Sequence, residues 1–407
     1  MPRSRVLAIV QAGGAGSRMD VLTRERAKPV LPFAGVFQLV DFPLSNLTHS
    51  GITHVWLAVQ FQAGTLEDEV AGGRPWDLDR NHEGLRLLMP QEGTGSMDEE
   101  GFATGNADGL FRIRDQIQAA GPEVVLVVSA DHVYRADLDD VVQRHLATGA
   151  ECTVVTTEVD IEDAGDHATV QVEDGRVVGF EYKPEDPSTG TVAAEIFAYD
   201  PAVLVEVLEE LHRELGAEAE EGDSGLGDFG EHLLPRLVER GRTVAHPLGG
   251  YWRDLGMPHK YLAAHRDILL DDVGVLGVHG WPILTQQPQR RPPRILDGAQ
   301  IVDSLVSPGC TVAGEVRCSV LSPGVVVEPG AKVVDSVIFS DTTVRAGAAV
   351  YRSIIDRDCE IGADAVVGAP DADLDDSDAI ALVGQRSTVA PGVRLDAGAR
   401  LEPGTTA

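Results

Sequence analysis

Near the C-terminus of this chain, aliphatic side chains recur every six residues: Ile338, Val344 and Val350 form one series, and Ile355, Ile361 and Val367 form another. Pro-Gly, Ala-Gly-Ala and Ile-Gly-Ala steps accompany them at Gly309, Gly324, Gly330, Gly347, Gly362, Gly392, Gly398 and Gly404. The steps from 309 to 324, 330 to 347 and 347 to 362 span 15 to 17 residues each. Six residues per face and three faces per coil describe a parallel β-helix whose coils bury one aliphatic per face. A disordered Gly-rich tail would not keep its aliphatics in phase.

The preceding part of the chain has a different texture. Residues 1 to about 270 alternate short β-branched runs (6–10, 54–59, 124–128) with helical stretches (106–119, 138–148), the pattern of a mostly parallel sheet covered by helices. Residues 171–182 alternate about Asp174-Gly175 and read as a hairpin. Residues 206–228 are acidic and read as an exposed helix end followed by a mobile loop. Pro288, Pro292 and Pro293 argue against a helix or central strand in the 286–294 segment, which reads as a linker.

The 407 residues carry 33 Lys plus Arg against 65 Asp plus Glu, a net charge of −32. Such a surface disfavours nucleic acid and anionic membranes. It also repels nucleotides, so a phosphate site here needs basic residues gathered in one place. The apolar run at 6–10 is too short for a signal peptide, and no stretch approaches a membrane span. Cys152, Cys310, Cys318 and Cys359 match no zinc spacing and read as reduced thiols of a cytoplasmic protein.

The first candidate site is Gly13-Gly14-Ala15-Gly16-Ser17-Arg18, directly after the first strand. Glycines there let backbone N–H groups approach phosphate oxygens. Met19 fails the dinucleotide fingerprint, and no Gly-Lys-Ser/Thr closes a P-loop. A tight strand-exit turn would explain the glycines equally well. Arg18, Arg24, Arg26 and Lys28 lie close behind, and in so acidic a chain this cluster suggests a polyphosphate clamp, with Arg24 the most readily spared for the surface. The second candidate is Asp131, after the apolar run 124–128, where a carboxylate would face the ligand crevice and could hold Mg²⁺. It could also cap a helix, and His132 reads as a structural neighbour. Asp254 offers a second carboxylate and Lys183 a point charge for a phosphate.

Taken in order, these segments resemble the ADP-glucose pyrophosphorylases (glucose-1-phosphate adenylyltransferases). The resemblance is carried by residues 13–18, Arg26-Ala27-Lys28-Pro29, residues 40–46, Ser50-Gly51-Ile52, Gly105-Asn106-Ala107-Asp108 and Asp131-His132-Val133-Tyr134. It continues through Lys183-Pro184, Asp228-Phe229-Gly230, Tyr251-Trp252-Arg253-Asp254-Leu255-Gly256 and residues 303–310. It implies an α/β chain with a Rossmann-like nucleotidyltransferase domain (1–270), a linker (271–295) and a left-handed β-helix (296–407). It implies attack by the phosphate of a sugar 1-phosphate on the α-phosphorus of ATP, with Asp131 and Asp254 holding Mg²⁺. Arg18 and Lys28 are then expected to stabilise the departing pyrophosphate, with Gly13, Gly14, Ala15, Gly16, Ser17, Gly105, Asn106 and Asp108 around the nucleotide. Lys183 is expected on the sugar phosphate. A homotetramer regulated by metabolites near the domain junction is implied as well.

The departures from that family gather in the sugar pocket. Tyr182 stands where the family has a Glu that bonds sugar hydroxyls, and Glu181, one residue earlier on a strand, is expected to face the other way. Thr191 keeps a hydroxyl for the sugar, Ala193 replaces a glycine, and Glu195 replaces a tyrosine. Glu25 and Gln38 stand where basic residues serve anionic activators in some members. Three functions are therefore carried forward: ADP-glucose synthesis for glycogen or another α-glucan, the same reaction with another sugar 1-phosphate or nucleotide, and a catalytically weak regulatory subunit.

Overall fold

The computed structural model describes residues 5–14, 16–90, 102–216, 219, 223–271 and 273–407. Its N-terminal domain is built on a nine-stranded mixed sheet. The strands are β1 (Val6–Ala12), β2 (His54–Val59), β3 (Gly84–Leu88), β4 (Val124–Ser129), β6 (Cys152–Glu158), β7 (Ala168–Glu173), β8 (Arg176–Tyr182), β9 (Thr191–Tyr199) and β10 (Thr243–Pro247). Their spatial order is β3-β2-β1-β4-β9-β6-β10-β8-β7. A separate two-stranded ribbon pairs β5 (His132–Tyr134) with β11 (Trp252–Asp254).

Strands β3, β2, β1 and β4 run parallel. β1 and β4 are covered on both faces, which is why they read as continuous apolar runs. The chain leaves β1 towards β2 on one side and later returns to β4 on the other. The carboxyl ends of these two strands therefore flank a topological switch point, where ligands bind in such sheets.

Helices α1 (Asp41–His49), α2 (Ala63–Val70), α3 (Asn106–Arg112), α4 (Arg114–Ala120), α5 (Leu138–Thr148), α6 (Pro201–Leu215), α7 (Leu234–Glu239) and α8 (Pro258–Leu270) complete the domain. The single helix expected at 106–119 is two, because Ile113 leaves helical geometry at φ −104° and ψ 9°. The Asp174-Gly175 hairpin is present, with both residues at positive φ (49° and 76°), as a right-twisted two-residue turn requires. The helix end expected within 206–228 is that of α6, which runs to Leu215. Residues 217, 218 and 220–222 of the expected loop lie outside the described residues.

From Arg294–Ile295 onward the chain winds through three parallel sheets of six strands each. Ile338, Val344, Val350, Ile355, Ile361 and Val367 all point into one core and are fully buried. The coil following Val367 carries an insertion that contains a short turn of helix at Ser377–Ala379. This β-helix is packed onto the N-terminal domain. Met19, Leu22, Phe33, Phe42, Tyr261 and Leu262 share an apolar core with Val320, Val337, Phe339, Ile354, Ile380 and Leu382. The segment that follows the glycine loop therefore lies between the two domains.

Candidate active site

The glycine loop leaves β1 with its backbone closely constrained. Gly16 sits at φ 65°, and a Cβ there would meet Lys28 Cβ at 3.0 Å. The Thr23 hydroxyl donates to the Gly16 carbonyl at 2.8 Å. A Cβ on Gly13 would press on Gln60, whereas Gly14 faces open space. Ser17 and Arg18 are exposed, and Ala15 lies outside the described residues. The loop thus holds Gly14 and Arg18 towards solvent while Gly16 folds back on Lys28.

Across the switch point, Asp131 follows β4. It precedes a strand, so it caps no helix. The β5–β11 ribbon sets His132 opposite Asp254, and the Leu255 N–H donates to the Asp131 carbonyl at 3.2 Å. Both carboxylates are thereby delivered to one place by backbone pairing. Lys28, buried, sets its Nζ 2.8 Å from Asp131 Oδ2. Burial alone would push the Asp254 carboxyl up, but Lys28, His132, Lys260 and His167 together outweigh it and hold it down to about 2. Asp254 is therefore an anion at any physiological pH. A Cβ on Gly256 would lie 3.1 Å from Asp254 Oδ2 and 3.2 Å from a guanidinium nitrogen of Arg18, so the bare glycine lets those groups close in from both sides. Arg18, Lys28, Asp131 and Asp254 converge.

Two other members of the expected basic cluster do not reach the site. Arg24 pairs with Asp20 at 3.1 Å and with Glu402 of the β-helix at 3.5 Å. Arg26 is buried against Asp356 of the β-helix at 2.5 Å, with its guanidinium 5.6 Å from the Phe339 ring. Of the four basic residues, Arg18 and Lys28 reach this centre; Arg26 is taken into the interdomain core and Arg24 stays at the surface. Glu25 is also engaged, accepting from Gln385 Nε2 at 2.6 Å and from Arg386.

A pocket beside this centre gathers Asn106, Tyr182, Lys183, Ala193, Glu195 and Phe229. Glu181 is exposed and takes no part, as strand alternation requires. The Tyr182 hydroxyl donates to Asp228 Oδ2 at 3.0 Å. Its ring lies so close to Gly230 that a Cβ there would stand 2.0 Å from it. Burial, with Asp228 beside it, pushes the Tyr182 phenol well above its ordinary range. Three expected residues sit elsewhere. Thr191 donates to Glu158 Oε1 at 2.7 Å beyond the pocket's edge. Gly105 packs on Gly227, where a Cβ would stand 2.2 Å from its carbonyl. Asp108 is fully buried and accepts from Arg112 Nε and the Thr104 N–H, each at 2.9 Å, so its carboxylate holds the start of α3 rather than facing a ligand.

A second pocket opens at the carboxyl ends of β1, β2 and β3, lined by Gln11, Gln60, Arg86, Met89, Gly109 and Ile113 among others. The sequence pattern did not single out Gln60, although its place at the end of a parallel strand marks it. His132, expected as a structural neighbour, packs against the centre. It is buried, with Nε2 3.7 Å from Asp254 Oδ1 and 3.9 Å from Glu195 Oε2, and its ring rests on Trp252.

The chain matches the nucleotidyl transferase family model over residues 7–270 and the model of the GlmU-like C-terminal hexapeptide over residues 295–402. A glucose-1-phosphate adenylyltransferase of Bacillus cytotoxicus is 34% identical over 339 residues, covering 83% of this chain and 87% of the relative. That of Bacillus mycoides is 33% identical over the same shares. The chain belongs to the glucose-1-phosphate adenylyltransferase family. In this member of the family the charged centre lies between the two pockets. One carries the side-chain amides of Gln11, Gln60 and Gln116 beside Arg86 and apolar residues, and the other holds Tyr182, Lys183, Ala193 and Glu195.

Proposed function

We infer that the protein transfers the adenylyl group of ATP to glucose 1-phosphate, releasing pyrophosphate and forming ADP-glucose for α-glucan synthesis. The observation that carries this reading is the meeting of Lys28, Asp131, Asp254 and Arg18 at the switch point of an otherwise acidic chain. The pocket at the ends of β1, β2 and β3 suits a nucleobase, and the one beside Lys183 suits the sugar phosphate.

The attacking phosphate oxygen is already an anion, so no general base is required, and catalysis is alignment and charge neutralisation. Lys183 would hold the sugar phosphate in line with the α-phosphorus. Arg18 and Lys28 would neutralise the pyrophosphate as it leaves, and the backbone from Gly13 to Ser17 would wrap the triphosphate. Asp131 and Asp254 form a hard-oxygen pair, with Asp254 held ionised, which fits Mg²⁺. When bound there, the ion would polarise the α-phosphate and neutralise charge.

A catalytically weak regulatory subunit would have no use for this charge centre, and its completeness weighs against that alternative. The proposed form is a cytoplasmic homotetramer; among the described residues no helix is long and apolar enough to cross a membrane. An anionic effector at the domain junction would have to displace Glu25 from Gln385 and Arg386.

Asp131→Ala is expected to abolish Mg²⁺-dependent pyrophosphate release while leaving the thermal melt in place. Unchanged turnover in that variant would contradict the assignment.

A further inference from the structure

We propose that Glu195 is the residue that reads the sugar ring, its carboxylate accepting hydrogen bonds from ring hydroxyls of a hexose 1-phosphate whose phosphate is held by Lys183. The proposal rests on the function inferred above and assigns a specificity role within it.

The backbone puts Glu195 where a regular strand would not. β9 pairs in register with β6 as far as Ala193↔Thr156 and resumes at Phe197↔Val154, so the chain bulges between them. Glu195 sits in that bulge at φ 54°, a left-handed conformation that disfavours a residue with a Cβ. Strain of this kind persists where the surroundings over-determine it, and it gathers at ligand sites. Here it turns the carboxylate into the pocket beside Tyr182, Lys183 and Asn106.

The other two carboxylates in that pocket, and the Asn106 amide oxygen, already have partners. Asp228 accepts from the Tyr182 hydroxyl on one oxygen and from the Asn106 N–H at 3.2 Å on the other. Asp166 holds Lys260 Nζ at 2.6 Å. The Asn106 side-chain oxygen accepts from the Phe229 N–H at 2.6 Å. Among the described residues Glu195 makes no hydrogen bond. The His132 Nε2 stands 3.9 Å from its carboxylate, which is half exposed. Lys183 likewise has no ion pair among the described residues, and its ammonium hovers 4.9 Å from the Tyr182 ring centre.

Among the described residues the pocket therefore presents Lys183 as a cation with no ion pair and Glu195 as a carboxylate whose side chain makes no hydrogen bond. A ligand that satisfies both carries a phosphate at one end and neighbouring hydroxyl donors at the other. A carboxylate can accept from two vicinal hydroxyls at once. Burying it without those donors would leave an unpaired charge, so a ring that lacks them is rejected more strongly than one that merely fits less well.

The experiment measures pyrophosphate release by wild-type protein, E195A and E195G with ATP, glucose 1-phosphate and the monodeoxyglucose 1-phosphates. E195G removes the backbone strain that E195A keeps, so it is the variant expected to stay folded. In the wild type at least one monodeoxy analogue is expected to lose tenfold or more in kcat/KM. Both variants are expected to raise the KM for glucose 1-phosphate at least tenfold, to leave the KM for ATP within twofold, and to abolish the penalty for that analogue. An unchanged sugar KM in both variants, or a deoxy penalty that persists in them, would overturn the role of Glu195. A wild-type protein inactive with ATP and glucose 1-phosphate would overturn the underlying function before Glu195 is reached.

Discussion

Lys28 is a buried cation whose nearest anion, Asp131, lies at a strand end 2.8 Å away. Neutralising charge at such a dry position contributes far more than it would in water. Lys28→Gln is expected to lower kcat by about 10²–10³, with a smaller change in the KM for glucose 1-phosphate, as steady-state kinetics would register. His265 illustrates a structural titratable group instead. Its Nε2 accepts from the Ala34 N–H at 3.1 Å and its Nδ1 donates to the Tyr261 carbonyl at 2.8 Å, so the folded ring is neutral, and burial pushes its pKa down to about 4. The unfolded imidazole binds a proton near its ordinary value, so the unfolded state gains protons first as pH falls. Stability from this group is whole above that value and declines as pH drops towards 4. About 2 kcal/mol is expected to vanish between pH 7 and pH 5, measurable by urea unfolding, and His265→Gln is expected to flatten that slope. Asp254, held at about 2, works in the same direction in a more acidic window: its stabilisation is present above the ordinary carboxylate value and is lost as pH falls from there through about 2. At this scale the residue types were legible but their directions were not. Lys28 and Asp254 were readable as charges near phosphate. Arg26 was equally plausible by spacing, yet a shared interdomain core claims it, and sequence proximity carries no sign of which domain a side chain faces.

At the scale of elements, strands and helices with a clear period were readable from residues alone. His54–Val59 and Leu138–Thr148 have the bounds their patterns implied, because alternation and an Asp137 cap mark them locally. The break at Ile113 and the bulge at Glu195 were not readable. Both depart from periodicity for reasons set by distant partners. The first turn of α3 is pinned to the 227–229 segment, with Asn106 exchanging hydrogen bonds with Asp228 and Phe229. Gly105 lies in that contact, in extended backbone that any residue can adopt, so the demand for glycine is one of space alone. Gly105→Ala is expected to cost about 1–3 kcal/mol through the forced backbone separation, seen as a lower Tm.

At the scale of the whole molecule, the β-helix is joined to the catalytic domain through the segment that links Arg18 to Lys28. Its own core was legible because a six-residue phase is hard to produce otherwise. Its docking was not, since an apolar face of a coil looks the same whether it meets its own core or another domain. Several ion pairs cross that contact, and Arg26–Asp356 is the most deeply buried of them among the described residues. Arg26→Ala leaves Asp356 buried without its partner and is expected to cost about 3–5 kcal/mol. Because the same segment positions Lys28, kcat is expected to fall with it. Arg26→Ala/Asp356→Ala is expected to recover part of the Tm loss, as a double-mutant cycle by calorimetry would reveal.

The central claim is adenylyl transfer at the Lys28–Asp131–Asp254 centre, and the most direct measurement follows both products. Purified protein is incubated with ATP, glucose 1-phosphate and Mg²⁺, and the mixture is read by phosphorus NMR. The account predicts ADP-glucose and pyrophosphate appearing in equal amounts, and neither product with Asp131→Ala. Intact ATP after prolonged incubation with wild-type protein, or ADP and inorganic phosphate in place of pyrophosphate, would contradict it.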